Sequence, residues 1–120
     1  MFSGIVEEVG RVATVGRSHG DVRVRIEATH VLEDLKVGDS VAVSGCCLTA
    51  VAVDATGFEV ELTDETVRAT APRWEAGATA NLERALPADG RFGGHVVAGH
   101  VEGVGRITAR EDVDGATVLT

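Results

Sequence analysis

Short runs of alternating polar and apolar residues dominate the chain. The clearest is Asp21–Glu27, where the alternation is unbroken and predicts a strand with one buried face. Further strand patterns cover residues 5–15, 40–44, 48–53, 58–62 and 79–84. Polar or glycine-containing turns separate these runs, and the turn at residues 16–21 predicts a hairpin. Six short strands with regularly spaced turns indicate a mainly β fold, a small antiparallel barrel.

Two short helical patterns interrupt the strands. Residues 29–35 have apolar positions at helical spacing, and Thr29 is the predicted N-cap. Thr63 precedes two acidic residues that suit a helix N-terminus, so it is predicted to cap a second helix. Gly10 lies inside the first predicted strand, where a glycine indicates a bulge or a bend of the barrel.

The opening stretch of the chain occurs twice. Residues 2–12 (FSGIVEEVGRV) align with residues 97–107 (VAGHVEGVGRI) at an offset of 95, and six of the eleven pairs are identical. This offset is the length of a small domain and far exceeds a solenoid period. We therefore predict a complete barrel over residues 1–86, a linker over 87–96 and the incomplete start of a second copy over 97–120. Because this second copy would end inside its second strand, we expect a fragment, a truncated chain or a chain that needs a partner.

Composition narrows the classes of function. The chain has 120 residues with 19 acids against 11 bases, a formal net charge of -8. Such a surface repels nucleic acid and anionic membranes, so we expect neither as a partner. No apolar run approaches the roughly 20 residues of a membrane span, and the N-terminus lacks a signal-peptide pattern. The adjacent Cys46 and Cys47 are poorly placed to bond to each other, which fits a reducing cytoplasm.

Five stretches, in order along the chain, resemble the riboflavin synthase family. They are MFSGIVEEVGRV, VGDSVAVSGCCLTAV, DETVRAT, NLERAL and GGHVVAGHVEGVGRI. Together they cover essentially the whole chain, which resembles the N-terminal half of this family of proteins with two lumazine-binding repeats. The resemblance implies that each repeat folds as a six-stranded antiparallel Greek-key barrel with short helices, the riboflavin synthase domain-like fold.

The same resemblance implies an activity. In this family two molecules of 6,7-dimethyl-8-ribityllumazine react, and one gives a four-carbon unit to the other. The products are riboflavin and 5-amino-6-(ribitylamino)uracil, and no metal or redox cofactor takes part. The family's active site lies between the first barrel of one subunit and the second barrel of a neighbour in a homotrimer. We expect this chain alone to bind the lumazine or flavin ligand, to turn over little substrate and to pair with itself as a dimer.

The resemblance assigns ligand contacts to nine residues. They are Gly4, Ile5, Val6, Ser40, Thr49, Glu61, Leu62, Thr63 and Thr66. Hydroxyl and carboxylate groups suit a ribityl chain, and an apolar slot with backbone donors and acceptors suits a flat ring. Glu61 stands where the family commonly has Asp. The alternative roles are those of ordinary polar residues at strand ends and on a helix surface.

Three further residues match family positions at the reaction centre: Phe2, Cys47 and His100. We interpret Cys47 as a residue that lines the site, because VSGCCLTA holds no cation to activate the thiol. The alternative for Cys47 is the role of a small buried hydrophobic residue. For Cys46, which should face the other way, we predict this packing role. For Phe2 the alternative is packing in the core.

His100 is the strongest single candidate for a catalytic residue. It stands in the second copy where the first copy has Ile5, although the two copies are otherwise similar. The resemblance places an important histidine here, and an imidazole changes its charge near neutral pH. The alternative is a half-exposed strand histidine. His95 lies five residues earlier, a spacing that matches no zinc motif, so we predict no metal site.

Two other functions stay open at this point. Relatives with the same repeats hold lumazine or flavin as fluorescent antenna proteins without catalysis, and a third choice is a purely structural barrel. The presence of both Cys47 and His100 favours the enzyme over the antenna protein. The clustering of site motifs argues against a purely structural barrel.

Overall fold

A closed antiparallel barrel forms the body of the molecule. The computed structural model describes residues 1–71 and 73–120, and it describes Ser18 through its backbone alone. The barrel strands are β1 (Glu8–Ser18), β2 (Asp21–Glu27), β3 (Ser40–Val43), β4 (Cys46–Asp54), β5 (Gly57–Leu62) and β6 (Thr79–Arg84). They follow one another around the barrel in the order β1-β2-β5-β4-β3-β6, and β6 closes onto β1. The predicted six-stranded barrel is confirmed.

The barrel core follows from the alternation along the strands. Val24 and Ile26 of β2 are fully buried, as are Phe58, Val60 and Leu62 of the adjoining β5. These side chains belong to one hydrophobic cluster inside the barrel. Burial of such a side chain stabilises the fold by about 1.5–3 kcal/mol, so the alternating pattern fixes which face of each strand points inward.

Gly10 marks a close approach of strands. A Cβ atom there would lie 2.6 Å from Leu82 Cδ1 and 2.8 Å from the carbonyl oxygen of Glu27. The shift of register in β1 comes later, between Val12 and Thr14. The barrel therefore needs glycine at position 10 for space, and the bulge lies elsewhere.

The second predicted helix is α1, Asp64–Ala69. Thr63 caps it as predicted, because its Oγ1 accepts a hydrogen bond of 3.2 Å from the N–H of Thr66. Helix α1 follows β5 directly and so lies at the edge of the outer surface of β4 and β5.

Among the described residues, no helix is both long and apolar enough to cross a membrane.

The first predicted helix is a single 3-10 turn, His30–Glu33. The prediction that Thr29 caps it is wrong, since the Thr29 side chain makes no capping hydrogen bond. Instead Glu8 of β1 accepts hydrogen bonds from the N–H of Thr29 at 2.7 Å and from the N–H of Val31 at 3.0 Å. A carboxylate from a distant strand thus satisfies the unpaired donors of this turn.

A separate hairpin lies beyond the barrel. Its strands are β7 (Arg110–Val113) and β8 (Ala116–Leu119). Arg110 pairs with Leu119, and the residues one repeat offset earlier, Val15 and Val24, pair in the β1–β2 hairpin. Both hairpins turn through two residues with positive φ. The second copy therefore begins with the local structure of the first, while the predicted boundaries at residues 86 and 96 stay predictions.

The stretch between β6 and β7 crosses the outside of the barrel beside the opening stretch. The N–H of Phe2 donates to the carbonyl oxygen of Val97 at 2.8 Å, and the reverse bond measures 3.1 Å. The N–H of His95 donates to the carbonyl oxygen of Ser3 at 2.8 Å. The two copies of the repeated stretch thus run antiparallel to each other on one side of the barrel.

Candidate ligand-binding site

Three predicted ligand contacts form a row across the outside of the barrel. Ser40 faces Thr49 in the β3–β4 pairing. The β4–β5 ladder ends at the pair Ala50 and Val60, both buried, so the next residues, Thr49 and Glu61, point outward from adjoining strands. Facing residues of paired strands have Cβ atoms about 4.5–5.5 Å apart. Two hydroxyls and a carboxylate are therefore presented side by side.

Cys47 lies on the same outer side, and a second part of the chain is packed on it. Its N–H donates to the carbonyl oxygen of Gly99 at 2.9 Å. Gly99 has φ +78, and a Cβ atom there would lie 2.8 Å from Cys47 Cβ. The next residue is His100, which is exposed. The fold thus brings two residues near each other that are far apart in the sequence.

The neighbouring cysteine points inward, as predicted. Cys46 is 6% exposed and belongs to the core cluster, whereas Cys47 is half-buried on the outside. Burial raises the pKa of the Cys46 thiol, which keeps it protonated and unreactive at neutral pH.

The end of β5 and the start of α1 bound the other side of this surface. Leu62 is fully buried in the barrel core, so only its backbone reaches the outside. The hydroxyls of Thr63 and Thr66 are 3.1 Å apart and form a pair at the helix N-terminus. We refer to the outer surface formed by Ser40, Cys47, Thr49, Glu61, Thr63 and Thr66 as the Cys47 face.

Arg23 of β2 holds the carboxylate of this face in place. Its Nη1 donates to Glu61 Oε1 at 3.1 Å, and its Nε donates to Glu59 Oε2 at 2.5 Å. The hydrogen bond to Glu59 is the main cause that raises the pKa of Arg23. Arg23 therefore stays charged, and Glu61 presents an oriented acceptor with its charge partly compensated.

A buried carboxylate that the sequence reasoning missed anchors the opening stretch. Glu83 of β6 is only 8% exposed. It accepts hydrogen bonds from the N–H of Ser3 at 2.6 Å, from Ser3 Oγ at 2.7 Å and from the N–H of Gly4 at 3.1 Å. The signal for it was the charged pair within NLERAL, the last strand pattern of the barrel. Ile5 and Val6, both predicted contacts, follow this anchor and are exposed.

A second ion pair fixes the join between the opening stretch and the barrel. Arg84 Nη2 donates to Glu7 Oε2 at 2.6 Å, and its Nη1 donates to Asp34. The hydrogen bond from Arg84 lowers the pKa of Glu7 below its ordinary range. Residues 3–7 are thus tied to β6 by two successive side chains of that strand.

Phe2 is fully buried but is not part of the barrel core. It has no exposed surface, and it is absent from the cluster of core side chains. Its backbone pairs with Val97, where the two copies of the opening stretch meet on the barrel's outside. Phe2 is therefore a buried residue at the junction of these two stretches.

Two cavities flank the Cys47 face without enclosing it. One of about 530 Å³ lies beside the opening stretch and is lined in part by Ile5 and Ser40. The other, of about 450 Å³, lies beneath residues 101–105 and is lined in part by Cys46 and Trp74. Apart from Ser40, neither is lined by residues of the Cys47 face. A bound small molecule normally has most of its surface covered, so a ligand on this open face needs a second surface over it.

Comparison with known proteins gives this arrangement a context. The family model described as "Lumazine binding domain" matches residues 3–85. The chain is 43% identical over 108 residues to the riboflavin synthase of Actinobacillus pleuropneumoniae, covering 89% of this chain and 50% of that protein. It is 42% identical over 117 residues to the riboflavin synthase of Bacillus subtilis, covering 97% of this chain and 54% of that protein. The chain spans about half the length of these curated relatives.

A solved structure has the same fold. It is the crystal structure of LumP complexed with riboflavin, with a TM-score of 0.79 and 25% identity. The match covers 95% of this chain and 62% of that one. The barrel and the stretch packed across it therefore recur together in a protein with bound flavin.

Proposed function

Because this chain belongs to the lumazine-binding domain family, we propose that it forms the first repeat of a riboflavin synthase and that its Cys47 face holds the substrate. The observation that carries the proposal is the meeting of Cys47 with the stretch that bears His100, on a face rich in hydroxyls. The identity to riboflavin synthases along nearly the whole chain supports it. The proposed substrate is 6,7-dimethyl-8-ribityllumazine, and the product is riboflavin.

The chemistry of the face suits this ligand. Ser40, Thr49 and Glu61 offer two hydroxyls and an oriented carboxylate to the hydroxyls of a ribityl chain. The half-buried Cys47 side chain and the backbone of Leu62 border the place for a flat ring. Thr63 and Thr66 add hydroxyls at the helix N-terminus. The binding energy then comes from ring burial, and the polar row fixes the orientation.

The proposed reaction requires two ligands side by side. One lumazine loses a proton from an acidic methyl group, a nucleophile adds to the other, and a four-carbon unit passes between them. One product is riboflavin and the other is 5-amino-6-(ribitylamino)uracil. His100 is the proposed group for proton exchange, since imidazole serves as an acid and a base near neutral pH. Cys47 acts as a wall of the site and forms no covalent bond.

A second repeat is the proposed cover for the open face. The full-length protein would then be a homo-oligomer whose sites lie between barrels, and this chain alone would bind ligand with little turnover. The trimer expected for the family and the self-paired dimer expected for this chain stay predictions. We also propose a cytoplasmic location, because the only two cysteines of the sequence are adjacent and offer no disulfide framework. The net charge of -8 supports the absence of nucleic-acid and membrane partners.

The second candidate is a protein that holds a flavin or a lumazine without converting it. The match to LumP complexed with riboflavin favours this alternative. The two candidates differ at His100, because a binding protein has no proton to transfer. In the full-length protein, His100→Ala should abolish turnover of the lumazine but leave riboflavin bound if the enzyme proposal is right.

Titration of riboflavin fluorescence tests the proposed site in this chain. Thr49→Val removes one hydroxyl from the face and should weaken binding by about 1 kcal/mol, or roughly fivefold in Kd. Thr14→Val is the matched control, because Thr14 is exposed on β1, away from the Cys47 face. Absence of any fluorescence change at micromolar protein, or equal effects of the two variants, would contradict the proposal.

A further inference from the structure

A network of ion pairs on the outside of the barrel ends at the Cys47 face. Its members alternate in charge, in the order Asp54, Arg25, Glu59, Arg23 and Glu61. The pairing of β2 with β5 places Arg25 opposite Glu59 and Arg23 opposite Glu61. We refer to these five residues as the ion-pair network. Three carboxylates share two guanidinium groups in it, so the carboxylates compete for the cations.

Arg23 is shared unequally between two of these carboxylates. Its Nε donates to Glu59 Oε2 at 2.5 Å, whereas its Nη1 donates to Glu61 Oε1 at 3.1 Å. The hydrogen bond to Glu59 is also the largest cause of the raised pKa of Arg23. Arg23 therefore binds Glu59 more closely than Glu61, although Glu61 is the residue that faces it across the two strands.

One oxygen of Glu61 stays available because of this division. Its side chain is 34% exposed, and no group of the described residues donates a hydrogen bond to its Oε2. A guanidinium group has enough donors to bind both oxygens of one carboxylate, and such two-bond pairs are frequent. Glu59 therefore keeps Arg23 from covering both oxygens of Glu61.

The other end of the ion-pair network leaves Glu59 to Arg23. Arg25 Nη2 donates to Asp54 Oδ1 at 2.8 Å and to Thr56 Oγ1 at 2.9 Å, while its Nη1 stays 3.8 Å from Glu59 Oε1. The hydrogen bond from Arg25 holds the pKa of Asp54 well below its ordinary range. Arg25 is thus occupied at the turn after β4, and the closest cation to Glu59 is Arg23.

We propose that Glu59 is a positioning residue for the ligand, because it keeps Arg23 from pairing fully with Glu61. The free oxygen of Glu61 can then accept a hydrogen bond from a hydroxyl of the ribityl chain. Glu59 lies outside the Cys47 face and acts only through Arg23 and Glu61. This inference rests on the proposed function of the Cys47 face. It goes beyond that function by placing part of the selectivity for a polyol substituent in a residue that touches no ligand.

Fluorescence titration of the full chain with two flavins tests this role. Riboflavin carries the ribityl chain, whereas lumiflavin has a methyl group in its place, so only riboflavin can use Glu61. Glu59→Ala should raise the Kd of riboflavin about tenfold, as expected for the loss of one hydrogen bond to a charged group. The Kd of lumiflavin should stay unchanged, which also shows that the ring site is intact.

A second substitution distinguishes positioning from simple support of the fold. Adding Arg23→Ala to Glu59→Ala should recover part of the lost affinity for riboflavin, because no cation then covers Glu61. Glu27→Ala is the matched control, since Glu27 is an exposed acid on the same strand as Arg23 and forms no ion pair with it. This control removes the same charge and should leave the Kd of both flavins unchanged.

Glu61→Ala separates this inference from the proposed function. It should weaken riboflavin binding, and in its background Glu59→Ala should have no further effect. If Glu61→Ala weakens riboflavin binding but Glu59→Ala does not, the positioning role is wrong and the proposed site stands. Equal losses for both flavins in Glu59→Ala, or a further loss on adding Arg23→Ala, would also overturn the positioning role. A wild-type chain that binds no riboflavin, or an unchanged Kd in Glu61→Ala, would contradict both the proposed site and this inference.

Discussion

Removal of the Glu83 carboxylate should loosen the opening stretch and destabilise the protein. In the native chain Glu83 accepts three hydrogen bonds, two of them from Ser3, which is itself only 8% exposed. Glu83→Ala leaves both Ser3 donors without an acceptor, at a cost of about 1–3 kcal/mol each. Gly4 is exposed, so water replaces its lost bond. We therefore expect the free energy of unfolding to fall by about 2–6 kcal/mol.

Urea unfolding followed by circular dichroism gives this difference directly. Glu83→Gln should cost less, because its amide oxygen still accepts from Ser3 while its amide nitrogen cannot accept from Gly4. Glu65→Ala is the control, since the Glu65 side chain is 70% exposed and an ion pair at the surface, such as its pair with Arg68 on α1, contributes little to stability. If Glu83→Ala cost no more than Glu65→Ala, the proposed anchoring role of Glu83 would be refuted.

Three further predictions follow from single contacts. Gly10→Ala should lower the free energy of unfolding by about 1–3 kcal/mol, because its Cβ would lie 2.6 Å from a leucine methyl carbon. The control Gly16→Ala should leave stability unchanged, because a Cβ at Gly16 meets no atom within 4 Å. Equal melting temperatures of the two variants would contradict this. Cys47 should be alkylated faster than Cys46, because burial raises the pKa of the Cys46 thiol, and bound riboflavin should slow the alkylation of Cys47 alone. Equal alkylation rates of the two cysteines, measured by mass spectrometry, would contradict this. Glu7→Gln should flatten the acid-side loss of stability. The hydrogen bond from its arginine partner lowers the pKa of Glu7 in the folded protein. The stabilisation by Glu7 is therefore present above its ordinary pKa of 4.5 and is lost as the pH falls through its pKa in the folded protein. Urea midpoints of the variant that vary with pH as in wild type would contradict this.

The barrel could be predicted from the sequence because its information is local. The alternation in Asp21–Glu27 sets the buried face of β2, and the turn beside it sets the first hairpin. The cap at Thr63 depends on a residue only three positions away. Each of these features is specified within one element, so periodicity and turn chemistry suffice.

The errors and omissions concern contacts between distant parts of the chain. The 3-10 turn after β2 is capped by Glu8, and the opening stretch is anchored by Glu83, about 80 residues away. From the sequence, a carboxylate within a strand pattern is predicted to face solvent. Only the fold shows which other part of the chain covers it. The local pattern therefore predicts for Thr29 a capping role that a distant side chain performs.

The candidate site was partly accessible from the sequence. Resemblance supplied its residues, and the mismatch between Ile5 and His100 singled out one of them. The sequence could not show that Gly99 packs on Cys47, nor that the face is open on one side. Those facts depend on how the second copy of the stretch crosses the barrel, and the functional roles of these residues stay predictions.

The most direct test of the central claim is a riboflavin titration of the isotope-labelled chain followed by amide NMR. If the Cys47 face is the ligand site, the amide signals of Cys47, Thr49, Thr66 and Gly99 should shift together and saturate. Signals of the β7–β8 hairpin should stay in place, because that hairpin lies outside the barrel. Saturable shifts confined to the cavity beside the opening stretch, with Cys47 and Thr49 unchanged, would contradict the account.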